Sequence, residues 1–252
     1  MARAQTPKTK EGIFKILGKA FTGYFRNLNL VLPFIFMLAI IIILALAFSF
    51  TLTPSLDKIQ NFQFDPTTIL TVGIAVLFFL VILVSASSYI MSGVIGMASE
   101  IAVKGKTHLS TMFLTGNKAW LRFLGATLTI FVIVFIPFLI VLLAADNFVK
   151  NSSVLAQIVV LILLVLAMVL FFIFFALAPY LLVMKNLRVF ASIKESFTLV
   201  KKNYVDFLLL TLIILVITIP ISLIPYVGGV INILLLGPVQ ALVIVYFINS
   251  RK

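Results

Sequence analysis

Charge divides this sequence into five uncharged runs, residues 27–56, 66–99, 123–145, 151–184 and 207–250, of 30, 34, 23, 34 and 44 residues. About 20 apolar residues, rising about 1.5 Å each, cross the roughly 30 Å of hydrocarbon in a bilayer. Each run is long enough to do so. The 252 residues are 63% hydrophobic and 10% charged, with a mean hydropathy of +1.29, whereas soluble domains carry about 25% charged residues. A water-soluble globular domain is excluded. Backbone groups in lipid must pair within the segment, and the runs lack the alternation of a membrane barrel strand, so an all-α polytopic fold is expected.

The fifth run is too long for one helix and contains Pro225-Tyr226-Val227-Gly228-Gly229, a turn signal. Six spans are predicted: Leu28 to Leu52, Thr68 to Ala98, Phe123 to Ala145, Val154 to Met184, Phe207 to Ile224 and Val227 to Ile248. Lysine and arginine near span ends stay on the cytoplasmic side. Arg3, Lys8, Lys10, Lys15, Lys19 and Arg26 precede the first span; Lys104, Lys106, Lys118 and Arg122 lie in the second connection. Lys185, Arg188, Lys194, Lys201 and Lys202 lie in the fourth, and Arg251-Lys252 follow the last span. That places 17 of 19 basic residues on one side, with Lys58 and Lys150 opposite. The expectation is a multi-pass protein of the cell (inner or plasma) membrane with both termini cytoplasmic. The first apolar run lacks a small-residue cleavage pattern and reads as a retained span. Asn151-Ser152-Ser153 matches a glycosylation acceptor, a pattern that recurs often without use.

The segments before the odd spans align at offsets of 92 and 84 residues. Leu17, Leu109 and Ile193 fall in register, as do Phe21, Phe113 and Phe197. So do the basic column Arg26, Lys118, Lys202, then Leu28, Trp120, Tyr204, and Val31, Phe123, Phe207. Three tandem hairpin units are predicted in one membrane domain over 1–252, approximately 11–104, 105–188 and 189–252, each opening with an amphipathic interfacial helix. In the first unit Lys15, Lys19, Thr22 and Arg26 form a polar face against Ile13, Leu17, Ala20 and Tyr24. In the second, His108, Thr111, Thr115, Lys118 and Arg122 form a polar stripe, and in the third Phe190, Ile193, Phe197, Val200 and Tyr204 form an apolar one. The apolar sides are expected among acyl chains, the basic sides among headgroups, with Tyr24, Trp120 and Tyr204 in an aromatic belt. The alternative is that these segments are only the ends of long spans. Breaks are expected at Gly93-Val94-Ile95-Gly96 and at Ala176-Leu177-Ala178-Pro179, because the second and fourth runs exceed a bilayer's thickness.

The chain has no cysteine, one histidine (His108) and seven acids, and no ionisable residue lies inside a predicted span core. Buried ionisable groups are the marks of proton relays and ion sites. An ion-coupled pump is disfavoured. Phosphate-loop, zinc-protease and serine-hydrolase motifs are absent from the sequence. No catalytic, cofactor-binding or metal-ligating set is expected. The net charge of +12 flanks spans, so anionic lipid accounts for it more simply than nucleic acid. Asp206 is read as an acid offset by Lys201 and Lys202. Ser85, Ser88 and Ser92 share one helical face, as do Asn232 and Gln240; they either bond helix to helix or line a narrow polar path.

At Phe21 to Leu32, Phe113 to Leu124 and Phe197 to Leu208 the chain resembles six-span prokaryotic membrane proteins related to the membrane domain of glycerophosphodiester phosphodiesterases. The likeness rests on architecture and a loose Phe-x4-Lys/Arg-x-aromatic pattern. It implies membrane association and carries over no reaction and no functional residue. Two functions follow from the residues. One is a non-enzymatic membrane protein whose Arg26, Lys118, Arg122, Lys201, Lys202, Trp120 and Tyr204 contact anionic lipid or a cytoplasmic protein partner. The other is a passive permease or small-solute or lipid transporter, with a path along Ser85, Ser88, Ser92, Asn232 and Gln240.

Overall fold

The computed structural model describes residues 11–60, 66–150, 153–225 and 227–251. Arg3, Lys8, Lys10, Asn151-Ser152, Tyr226 and Lys252 lie outside them, as do the side chains of Lys58 and Lys150. Helix α1 spans Ile13–Arg26, and a short 3-10 turn, Leu28–Val31, leads into α2, Leu32–Gln60. There follow α3 (Pro66–Lys104), α4 (Leu109–Lys150), α5 (Val154–Ile173), α6 (Ala178–Lys185), α7 (Val189–Lys202) and α8 (Tyr204–Ser222). The last segment is α9 (Gly228–Ile231), a π-turn at Asn232–Leu236, and α10 (Gly237–Ser250). Six stretches are long and apolar enough to cross a membrane: Leu28–Phe50, Ile69–Lys104, Leu109–Val141, Val154–Lys185, Tyr204–Ser222 and Gly228–Ser250. No strand occurs among the described residues.

Whether the chain breaks before an odd span follows from one side chain. The residue after the basic column is Asn27 in the first segment, Ala119 in the second and Asn203 in the third. Asn27 Nδ2 donates to Gly23 O at 2.9 Å and Asn203 Nδ2 donates to Leu199 O at 3.0 Å, the same reach back to the fourth preceding carbonyl. Asparagine competes for backbone groups in this way and interrupts helices, while alanine has the highest helix propensity. Helices therefore end at Arg26 and Lys202, but α4 runs unbroken through Ala119. The separate amphipathic helix expected before the third span does not exist as such; it is the first part of α4.

The two expected breaks also part company. Between α5 and α6 the helix opens: Pro179 has no N–H to donate, and Ala178 N–H bonds Phe175 O at 2.9 Å instead of continuing the α pattern. The freed carbonyl of Phe174 accepts from the Ser196 hydroxyl of α7 at 2.8 Å. In α3, by contrast, Gly93-Val94-Ile95-Gly96 lies within a continuous helix. Its glycines serve approach, not bending: a Cβ on Gly93 would lie 2.8 Å from Met112 O, and one on Gly96 would lie 2.3 Å from Thr115 Oγ1. Thus α4 rests on α3 at near-backbone contact. Pro238 repeats the logic of Pro179: it cannot donate to Leu234 O, and the Tyr24 hydroxyl of α1 reaches that carbonyl at 3.2 Å.

These contacts close a circuit. The start of α4 packs on α3, α7 packs on α6, and α1 packs on α10, the first helix on the last. At the centre α3, α6 and α10 meet through Val94, Met97, Ala98, Leu181, Leu242 and Val245, all fully buried. Faces expected among acyl chains are covered by neighbouring helices. Ile16, Ala20 and Tyr24 of α1 and Ile193 and Val200 of α7 are buried against protein, and burial raises the pKa of the Tyr24 phenol. An apolar stripe does not say which apolar medium covers it, and here neighbouring helices compete successfully with lipid. The end of the bundle that carries α1, the α3–α4 turn and α7 holds most of the described lysines and arginines. This is the basic end of the bundle.

Candidate functional site

At the basic end, α3 is stopped by Gly105, whose φ of +75° is left-handed and whose N–H bonds Ile101 O at 2.8 Å. The turn that follows is stapled to α1 by the buried Asn27. Its Nδ2 donates to Gly105 O at 3.1 Å as well as to Gly23 O, and its Oδ1 accepts from Thr107 N–H at 3.2 Å. All of the amide's bonding is directed at backbone, so the junction is held open in a defined shape. The result is a cleft of about 380 Å³ lined by Phe25, Arg26, Asn27, Leu28, Asn29, Lys106, Thr107 and His108.

Three of those side chains are cations or imidazole, and none of Arg26, Lys106 and His108 pairs with a described residue. The nearby acid is already engaged: Glu100 accepts from Thr111 Oγ1 at 2.5 Å, Thr107 Oγ1 at 3.0 Å and Lys104 Nζ at 3.0 Å. Lys106 and His108 become part of the site by this folding of the turn onto α1, a juxtaposition about 80 residues apart in sequence. The stripe at steps of three and four hides it, because Thr111 and Thr115 face α3 and only Lys118 and Arg122 remain at its outer part. Lys118 is exposed, and Arg122, half-buried, donates to Lys118 O at 3.1 Å within its own helix. Lys201 and Lys202 are exposed. Trp120 is half-buried, and Tyr204 stacks on Phe174 at 5.5 Å, so part of that ring is committed to protein.

The third junction is built differently. Asp206 pairs not with Lys201 or Lys202, as the sequence suggested, but with Arg251, whose Nη2 lies 2.9 Å from Oδ2. Only 3% of the Arg251 side chain is exposed, and its guanidinium sits 5.4 Å over the Phe247 ring. Its Nε and Nη1, together with Asn203 Oδ1, are buried without a hydrogen-bond partner. A lysine four residues away in sequence was the expected partner, but α7 ends at Lys202 and Asp206 opens α8; the tertiary fold brings in an arginine 45 residues away.

The polar side chains within the spans mostly bond locally. Ser88 Oγ donates to Val84 O at 2.7 Å and Ser92 Oγ to Tyr89 O at 2.9 Å, both within α3, and Ser85 is half-buried. Asn232 Nδ2 donates to Ser222 Oγ at 2.5 Å and Gln240 Nε2 to Thr218 Oγ1 at 3.3 Å, tying α8 to the chain that follows it. Gln240 and Thr218 border a cavity of about 20 Å³, room for one water.

Residues 13–248 match a family described as Domain of unknown function (DUF7847). The chain belongs to that family. No curated protein and no solved structure matches it. The match takes in α1 and nearly all of α10, so both partners of the ring-closing contact lie inside the family's domain.

Proposed function

We propose that this is a non-enzymatic, integral cell-membrane protein of three tandem hairpin units, closed into a ring, whose basic end faces the cytosol and holds anionic lipid headgroups. The observation that carries the reading is the pairing of free cations with exposed apolar bulk at the basic end. Arg26, Lys118, Lys201 and Lys202 are exposed, while Phe14 and Phe25 of α1, Leu121 of α4 and Phe190 of α7 are 82%, 64%, 63% and 76% exposed. Such side chains enter the acyl boundary while the cations stay at headgroup level. The basic column, the matching asparagine bonds of Asn27 and Asn203, and the circuit of α1 on α10, α4 on α3 and α7 on α6 support the threefold relation. Each basic residue near an anionic surface contributes about 1 kcal/mol.

The test is the variant R26Q/K118Q/K202Q, assayed for binding of the detergent-extracted protein to phosphatidylglycerol liposomes. Binding is expected to fall to the level seen with phosphatidylcholine. Unchanged binding in a correctly inserted variant would remove the lipid role.

A further inference from the structure

We infer that the cleft between the end of α1 and the α3–α4 turn is a discrete site for a phosphate monoester headgroup of a membrane lipid, a proposal that rests on the lipid reading above. General attraction needs only cations on a surface; this cleft has more. Its floor is fixed by Asn27, all of whose amide bonds go to backbone groups. Its walls carry the Arg26 guanidinium, the Lys106 ammonium and the His108 ring, none engaged by a described residue. Glu100, the acid able to neutralise them, is turned to Thr107, Thr111 and Lys104.

Charge selects the ligand class. Arg26 and Lys106 together present two positive charges, and a phosphate monoester carries about −1.5 to −2 near neutral pH, whereas a diester carries one. Guanidinium and ammonium are also the two side chains best suited to phosphate oxygens. The volume, about 380 Å³, falls in the range of small-ligand sites. Position selects the source. Phe25 and Leu28 line the same cleft and are largely exposed, which gives a lipid's glycerol and acyl chains an apolar flank that a free phosphate does not need. The other two junctions do not offer this combination. At the middle one the helix runs through Ala119, and at the third Asp206 already opposes Arg251.

The experiment uses the full chain in neutral maltoside micelles, with bound lipid counted by native mass spectrometry. Dioleoyl phosphatidate, phosphatidylglycerol and phosphatidylcholine are offered separately, and glycerol 3-phosphate is the soluble competitor. One retained phosphatidate per chain is expected. R26Q/K106Q should weaken its retention on the order of tenfold or more, K15Q/K194Q, which removes two exposed cations outside the cleft, should keep it, and glycerol 3-phosphate at equal concentration should not displace it. Arg26 and Lys106 are exposed, so the variant should melt with the wild type. Retention by R26Q/K106Q equal to wild type, equal retention of phosphatidylcholine, or displacement by glycerol 3-phosphate would each overturn the proposal. If the wild type favours neither anionic lipid over phosphatidylcholine, the broader lipid reading fails with it. If it favours both and R26Q/K106Q does too, the cleft alone fails.

Discussion

Gly93→Ala tests the contact on which the hub depends. A methyl there would stand 2.6 Å from Met112 Cγ, 2.8 Å from Met112 O and 3.2 Å from Met112 Cα. Ordinary carbon contacts need 3.5–4.0 Å, so α4 must retreat by about 1 Å or twist. The side chain of Met112 can move, but its backbone cannot without the whole helix. Overpacking of this kind costs about 1–3 kcal/mol, and the obstacle being backbone puts Gly93 toward the upper end. Alanine returns about 1 kcal/mol of helix propensity. The net is a loss of about 1–2 kcal/mol, a five- to thirtyfold shift in the unfolding equilibrium. Gly73, in the same helix, meets nothing within 4 Å of an added Cβ, so Gly73→Ala keeps the propensity gain without the clash. The chain has no cysteine, so Ala98→Cys, fully buried in the hub, reports opening through maleimide labelling on heating. Gly93→Ala should label at lower temperature than the parent, and Gly73→Ala at the same temperature or higher. Equal behaviour of the two would refute the close α3–α4 packing.

Asn27→Ala strips partners from Thr107 N–H and Gly105 O and should cost about 1–3 kcal/mol of thermal stability; Asn203→Ala, whose Oδ1 has no partner to lose, should cost less in the same assay. Asp206→Asn leaves Arg251 buried without its counter-charge. With Asp206 37% exposed, a loss of about 1–3 kcal/mol is expected, between exposed and buried pairs, and Arg251→Met on that background should restore most of it. The Lys19 ammonium, hydrogen-bonded to Glu11, lowers the Glu11 pKa. The pair therefore stabilises α1 above the ordinary carboxylate value of about 4.3, and that contribution disappears as pH falls through the lower folded value. Wild type should melt above Glu11→Gln at pH 7 and converge with it in acid; a difference that persists in acid would contradict this.

Much of the architecture was legible because lipid imposes a length requirement that the charge-free runs meet directly. The six apolar helices and the turn before Gly228 follow from that. Less legible was the medium covering each apolar face: Ala20, Ile193 and Val200 read as lipid-facing and are covered by protein, since hydropathy measures avoidance of water and not the choice among apolar neighbours. The break after Lys202 and its absence after Lys118 were present in the sequence as Asn203 and Ala119, a signal of hydrogen-bonding competition that periodicity does not carry. Gly93 and Gly96 suggested a bend because glycine permits both bending and close approach, and only the partner helix distinguishes them. In the cleft, Arg26 was marked by the basic column, but Lys106 joins it through the Gly105 turn and the Asn27 staple. Arg251 was missed for the same reason: its partner Asp206 is near in space and remote in sequence.

The most direct measurement of the central proposal is single-cysteine labelling in intact cells with a membrane-impermeant maleimide, at Lys58→Cys, Lys104→Cys, Lys150→Cys and Lys202→Cys. Positions 58 and 150 should label from outside, and positions 104 and 202 only after the membrane is opened. Labelling of 58 and 104 from the same compartment would contradict a basic end that faces the cytosol across six spans.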